Sequence, residues 1–124
     1  MMNSQKSTED YLEAMLMLKE KRGFIRSVDV ANLLGVTKPS VSYATKRLRE
    51  DGYIAYDPAR MIVLLEPGLK IAEKILERHR LLTELLIGLG VSPATARADA
   101  CKIEHDLSEE SFDAIRRHAQ EHRA

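Results

Sequence analysis

The chain has no tryptophan, and its aromatic content is limited to four tyrosines and two phenylalanines. That scarcity argues against a surface built to stack sugars or single-stranded bases. It has one cysteine, Cys101, so no disulfide can form within the chain, and a lone thiol agrees with a reducing compartment. No apolar run approaches the ~18–20 residues that a membrane helix needs. The opening MMNSQKSTED has no apolar core of the signal-peptide kind, so a cytoplasmic location without membrane partners is expected. Charge of one sign is also missing: 19 Lys and Arg balance 19 Asp and Glu, and the pI is near 6.9. Overall balance therefore gives no hint of nucleic-acid binding, which would need a local basic patch. What is present is ordinary for a globular chain: 124 residues, 44% hydrophobic and 31% charged. This is enough for one or two small domains with a real core. There is no internal repeat or low-complexity segment.

Hydrophobic spacing lays out the elements. Ser7 to Glu20 reads as an amphipathic helix, with Ser7 as cap, Asp10 as the acid of a capping box, and Tyr11, Leu12, Met15, Leu16 and Leu18 as its apolar face. Gly23 ends it. Ser27 reads as the cap of a short helix from Val28 to Leu34, stopped by Gly35. A third helix follows Thr37, with Lys38 and Pro39 in its first turn, and runs to about Arg49. Tyr53–Tyr56 and Met61–Leu65, on either side of Asp57-Pro58-Ala59-Arg60, read as a hairpin. After Glu66-Pro67-Gly68 comes a long helix from Leu69 to about Leu89. A helix from Ala94 to His105 follows, then a short last one opened by Asp106-Leu107-Ser108-Glu109-Glu110 and running through His118. The tail from Gln120 is expected to fray.

Helix, glycine turn, helix, hairpin is the order of a winged helix-turn-helix. Ala31, Leu34, Val36, Val41 and Leu48 are the expected small core of that unit. Thr37, Lys38, Ser40, Ser42, Tyr43, Lys46, Arg47 and Arg49 are left facing outward, with no acid before Glu50. Hydroxyls at a helix start can reach phosphates or base edges, and the cations beyond can neutralise backbone charge. Arg60 in the wing turn suits a phosphate or minor-groove contact. A simple solvated face is the competing reading of the same charges.

The second pattern is Cys101, Glu104 and His105, at i, i+3 and i+4 on the expected fifth helix. Asp10 and Glu13 repeat the i, i+3 spacing on the first helix, and His79 sits in the long one. Together they make a mixed oxygen, nitrogen and sulfur donor set suited to manganese, iron, cobalt or zinc as divalent ions. Each residue has a plainer role open to it. Asp10 fits a capping acid, Glu13 a surface residue, His79 a solvated helix position, and Cys101 a small buried hydrophobe. Nucleophilic catalysis by Cys101 and His105 is disfavoured, because i, i+4 side chains on one helix run parallel and no orienting third group is evident.

With these pieces in place, the chain resembles the diphtheria-toxin-repressor and manganese-transport-regulator family of metal-dependent transcription regulators. The resemblance is carried by Thr8-Glu9-Asp10-Tyr11-Leu12-Glu13, Thr37-Lys38-Pro39-Ser40-Val41-Ser42, Arg78-His79-Arg80-Leu81-Leu82, Gly90-Val91-Ser92-Pro93 and Cys101-Lys102-Ile103-Glu104-His105-Asp106-Leu107-Ser108, in the family's order. It implies a mainly α chain, with a winged helix-turn-helix over residues 1–66 and a helical metal-binding and dimerisation domain over 67–124. It implies Asp10, Glu13, His79, Cys101, Glu104 and His105 as ligands, and Thr37, Pro39, Ser40, Ser42 and Tyr43 nearest the DNA. Asp10 and Glu13 resemble the manganese-type branch, whereas Cys101 resembles the iron-type branch. Thr83 and Arg97 stand where the iron branch has an ancillary site, and neither is a convincing ligand.

The function this implies is a homodimeric, non-enzymatic repressor of metal-uptake genes. It would bind a palindromic double-stranded operator when activated by Mn(II), or next by Fe(II), with Zn(II) or Co(II) possible and one or two ions per subunit. No small organic substrate is expected. Leu81, Leu82, Leu85, Leu86, Ile87 and Leu89 are the expected dimer surface. A metal-independent winged-helix regulator and, more remotely, a small metalloenzyme are the alternatives.

Overall fold

A computed structural model of the chain describes residues 4–122. Its elements are α1 (Ser4–Arg22), α2 (Ser27–Leu34), α3 (Lys38–Glu50), β1 (Ile54–Tyr56), β2 (Ile62–Leu64), α4 (Glu66–Gly88), α5 (Pro93–Ile103) and α6 (Glu109–Glu121). The fold is mainly α, with a winged helix-turn-helix followed by a helical domain. The chain forms two compact units, Met1–Glu73 and Lys74–Ala124, divided within α4. No helix among the described residues is long and apolar enough to cross a membrane. The opening residues 1–3 and the last two, 123 and 124, lie outside the described residues.

In the first unit, α1 buries Tyr11, Leu12, Ala14, Met15, Leu16 and Leu18 along one broad face. Among the described residues the helix already includes Ser4, so Ser7 is not its cap and Asp10 stands well inside it and not in a capping box. The polar run Ser4 to Asp10 contains several cap-type residues, and local preference does not choose among them. Gly23, at φ +84°, ends α1. Ser27 is the first residue of α2 rather than its cap, and the Ncap position, Arg26, makes no side-chain cap bond.

Gly35, at φ +68°, closes α2, with its N–H bonded to the Ala31 carbonyl. That turn leaves Val36 37% exposed, outside the core expected for it, and Leu34 half-buried. Val30 takes the place at the centre, together with Ala31, Val41, Leu48, Ile54 and Ile62. Thr45 is also buried, its hydroxyl donating to the Val41 carbonyl at 2.8 Å.

The wing is a two-stranded antiparallel sheet pairing Ile54 with Leu64, Ala55 with Val63 and Tyr56 with Ile62. Its turn is organised by Asp57, whose Oδ1 accepts from Ala59 N at 2.8 Å and from Met61 N at 2.9 Å. The wing is fixed at its inner edge by Ile62 N donating to the Ile25 carbonyl at 2.8 Å.

In the second unit, α4 contributes Ile75, Leu76, Arg78 and Leu82, α5 contributes Ala96 and Ala100, and α6 contributes Phe112 to the buried set. Two small alanines on α5 permit close packing, and Phe112 is the largest side chain buried there. The α6 helix is capped by Ser108, whose side chain accepts from Ser111 N at 3.1 Å. It continues through Gln120 to Glu121, so the fraying expected from Gln120 does not begin there.

Candidate metal centre

α5 ends at Ile103, two residues earlier than its periodicity suggests. Glu104 is its C-cap, still in the right-handed region, and its N–H reaches the Ala100 carbonyl at 2.9 Å. Asp106 N then bonds the Ile103 carbonyl at 3.0 Å in a tighter turn. Cys101 and Glu104 therefore share a face, whereas His105 lies in the turn beyond and not on that helix.

The structure brings three of the expected ligands together within the second unit. One ligand atom from each of His79, Cys101 and Glu104 lies within 4.8 Å of the others. His79 Nδ1 stands 3.0 Å from Glu104 Oε2. At that separation Nδ1 donates to the carboxylate oxygen in the tautomer that carries its hydrogen there. The other carboxylate oxygen, Oε1, is buried and accepts no hydrogen bond from the described residues, with His105 Nε2 at 3.5 Å beside it. The Glu104 side chain is 0% exposed. A carboxylate removed from water with one oxygen unbonded is costly, and a cation is the usual remedy.

The plainer roles do not survive. Cys101 is exposed rather than packed as a small hydrophobe. His79 is bonded to Glu104 rather than solvated. In the first unit, Asp10 is half-buried within α1 and Glu13 is buried one turn later, so neither is a capping acid nor surface dressing.

Arg78 was not evident from sequence. Its guanidinium donates from Nη1 to the carbonyl oxygens of Glu104 at 3.0 Å and Leu107 at 2.8 Å, and from Nη2 to Glu109 at 3.4 Å. It lies 5.1 Å from the centre of the Phe112 ring. It thereby fixes the backbone that carries Glu104. No periodicity or spacing announces a side chain that binds carbonyls so far along the chain.

In the first unit, Thr37 caps α3 by accepting from Ser40 N at 3.2 Å, and its hydroxyl donates to Ser40 Oγ at 2.9 Å. Thr37, Lys38, Pro39, Ser40, Ser42, Tyr43, Lys46 and Arg47 are all exposed. Tyr43 is 67% exposed, with the Arg47 guanidinium 6.0 Å from its ring centre. Arg60 is exposed and sits at φ +63° in the wing turn.

Known proteins match both halves. A family model for the iron-dependent repressor N-terminal DNA-binding domain covers residues 4–62, and one for the iron-dependent repressor metal-binding and dimerisation domain covers residues 65–123. The transcriptional regulator MntR of Escherichia coli O6:H1 is 42% identical over 116 residues, 94% of this chain and 75% of its own. The chain belongs to the iron-dependent repressor family. The HTH-type regulator MntR of Geobacillus kaustophilus is 38% identical over 109 residues, 88% of this chain and 77% of its own. A crystal structure of the metal-dependent transcriptional regulator MtsR is similar with a TM-score of 0.79 and 28% identity, covering 87% of this chain and 51% of that one. The chain thus spans three-quarters of the E. coli relative and about half of that solved structure.

Members of the family are transcriptional regulators and not enzymes. This chain carries the family's DNA-binding domain and its metal-binding and dimerisation domain, so it is a metal-dependent transcriptional regulator. A metalloenzyme and a metal-independent regulator are both set aside by that second domain.

Proposed function

We propose that the chain is a homodimeric repressor of metal-uptake genes, activated by Mn(II) or, second, Fe(II), and bound to a palindromic operator. The observation that carries the metal reading is Glu104: a buried carboxylate with Oε1 unbonded, beside His79 and Cys101. The proposed donor set is His79, Cys101, Glu104 and His105, with Asp10 and Glu13 added on their sequence pattern. Manganese is placed first because the acids are hard donors and because relatives at 38–42% identity are named MntR. When bound, a divalent ion supplies positive charge to its donors, favouring the DNA-competent arrangement over others.

The chain's own residues do the rest. Glu104 offers a desolvated carboxylate, and Arg78 keeps the backbone under it in place. His79 and Glu104, already 3.0 Å apart, offer an imidazole nitrogen and a carboxylate to the same point. Cys101, exposed, gives the site its open side. Pro39, Ser40, Ser42 and Tyr43 at the start of α3 face base edges, with Thr37 holding that start in shape. Lys38, Lys46, Arg47 and Arg60 meet phosphates. Leu81, Leu85, Leu86, Ile87 and Leu89 form the dimer face. Leu82, expected among them, is only 4% exposed.

The test is a titration of Mn(II), Fe(II) or Zn(II) while binding to a labelled palindromic duplex is followed by anisotropy. Affinity should rise with metal and fall with EDTA, and Glu104→Ala should lose the metal response while keeping its helical circular dichroism. Equal affinity with metal and with EDTA overturns the reading. Metal analysis of protein purified without chelator gives the ion and the number per subunit.

A further inference from the structure

We propose that His118 and His122 form a second transition-metal site on the last turn of α6, separate from the donors around Glu104 and selective for nickel(II), copper(II) and zinc(II) over manganese(II). The two residues are at i and i+4, the spacing that sets side chains side by side on one helix face. The structure bears this out directly: their ring centroids are 4.0 Å apart and the planes are tilted by 30°. Both residues are exposed, so an ion can reach them without displacing packed side chains.

One imidazole is also already oriented. His122 Nδ1 lies 2.9 Å from the His118 carbonyl oxygen. A carbonyl only accepts, so Nδ1 carries the proton and the lone pair falls on Nε2. Ring N–H to backbone carbonyl is the arrangement that fixes tautomer and ring direction in metal-binding histidines. The turn is presented from a helix fixed at its other end, through the Ser108 cap, buried Phe112 and the Arg116–Glu77 pair at 2.7 Å.

The donors explain the selectivity. Two neutral imidazoles suit the late first-row ions, whose affinity for nitrogen rises through nickel and copper. Manganese(II), a hard ion at the weak end of that order, gains little without a carboxylate. The donor set around Glu104 is rich in acids, so the two sites sort different metals. Loading this one clips residues i and i+4 together and secures the end of α6.

Equilibrium dialysis of the full chain against nickel(II), with metal measured by mass spectrometry, tests the assignment. The wild type and a Cys101→Ser/Glu104→Gln variant should both bind nickel at this site, and the copper(II)-loaded double variant should show imidazole nitrogen splitting in its electron paramagnetic resonance spectrum. His118→Gln or His122→Gln in that background should lose both the bound nickel and the splitting. The same single changes in the wild type should leave manganese(II) stoichiometry unaltered. Undiminished nickel binding in both histidine variants overturns the proposal, as does a loss of manganese that equals the loss of nickel.

Discussion

Arg78 Nη1 donates to the backbone carbonyl of Glu104 at 3.0 Å, although the two residues are 26 positions apart. The same nitrogen reaches Leu107 at 2.8 Å, so one buried cation spans the whole turn between α5 and α6. Glu104 therefore holds its place by its main chain, leaving both carboxylate oxygens for other partners.

Removing that cation should weaken the second unit and the site together. Arg78→Met leaves two buried or half-buried carbonyls without their donor, at a cost of roughly 3 kcal/mol. The Glu109 partner is 61% exposed, and its ion pair with Arg78 adds little to that. Arg78→Lys supplies charge but no planar fork, and should recover only part of the loss. Urea unfolding gives the stability change. Metal titration of the still-folded fraction should show weaker binding in both variants, and wild-type affinity in Arg78→Met would mean the turn holds itself.

Gly68, in the first turn of α4, should not accept a side chain. A Cβ there would lie well inside contact distance of the Tyr53 carbonyl oxygen and 3.0 Å from the carbonyl carbon. That oxygen cannot move freely, because it accepts from Leu65 N at 2.9 Å. Overpacking of this kind costs about 1–3 kcal/mol, against about 1 kcal/mol gained by replacing glycine with alanine in a helix. Gly68→Ala should thus be net destabilising in chemical denaturation, and Gly68→Val more so. A stabilised Gly68→Ala would show that the wing yields at Tyr53.

Which parts of this were legible in the sequence follows from the range of the forces involved. Thr37 at the start of α3 and the apolar face of α1 are set by neighbours a turn away, and local spacing carries them. Glu104 and His105 extend the helical spacing of Cys101, yet α5 ends at Ile103. The Ser108 cap required the chain to turn before it, and that signal outweighed the periodicity. The apolarity of Val36 suggests a core position, but the left-handed Gly35 directs the chain outward there. The pairing of His79 with Glu104 fits the ligand pattern, whereas the hold of Arg78 on two distant carbonyls has no sequence signature at all.

Asp29 should give the first unit part of its acid sensitivity. It is buried in the first turn of α2, with Arg26 at 2.9 and 3.3 Å and Arg22 at 3.5 Å. The hydrogen bonds from Arg26 hold its carboxyl below the usual carboxylate range, with the charges of Arg22 and Arg26 acting in the same direction against burial. A lowered folded-state value means that the unfolded chain binds the proton more readily. The stabilisation is then complete above the unfolded value of about 3.9 and is lost as pH falls through the lower, folded one. Melting temperatures of the wild type and Asp29→Asn should differ most near neutrality and converge as the pH drops below about 4. A constant gap across that range would assign the effect of Asp29→Asn to packing instead.

Arg60 should separate stability from DNA binding. It holds a left-handed conformation, φ +63°, which costs a non-glycine residue about 1 kcal/mol. The turn imposes this through Asp57, which accepts from Arg60 N, Ala59 N and Met61 N, while Asp57 N bonds the Met61 carbonyl at 2.9 Å. Glycine fits that backbone without strain, so Arg60→Gly should leave stability unchanged or raise it by up to about 1 kcal/mol. If the guanidinium meets a phosphate, the same change should weaken operator binding and lower the slope of log affinity against log salt by about one. Arg60→Ala should show the DNA defect without the relief of strain. Unchanged affinity and salt slope in both variants would remove Arg60 from the DNA-binding set and leave its strained backbone as a feature of the wing alone.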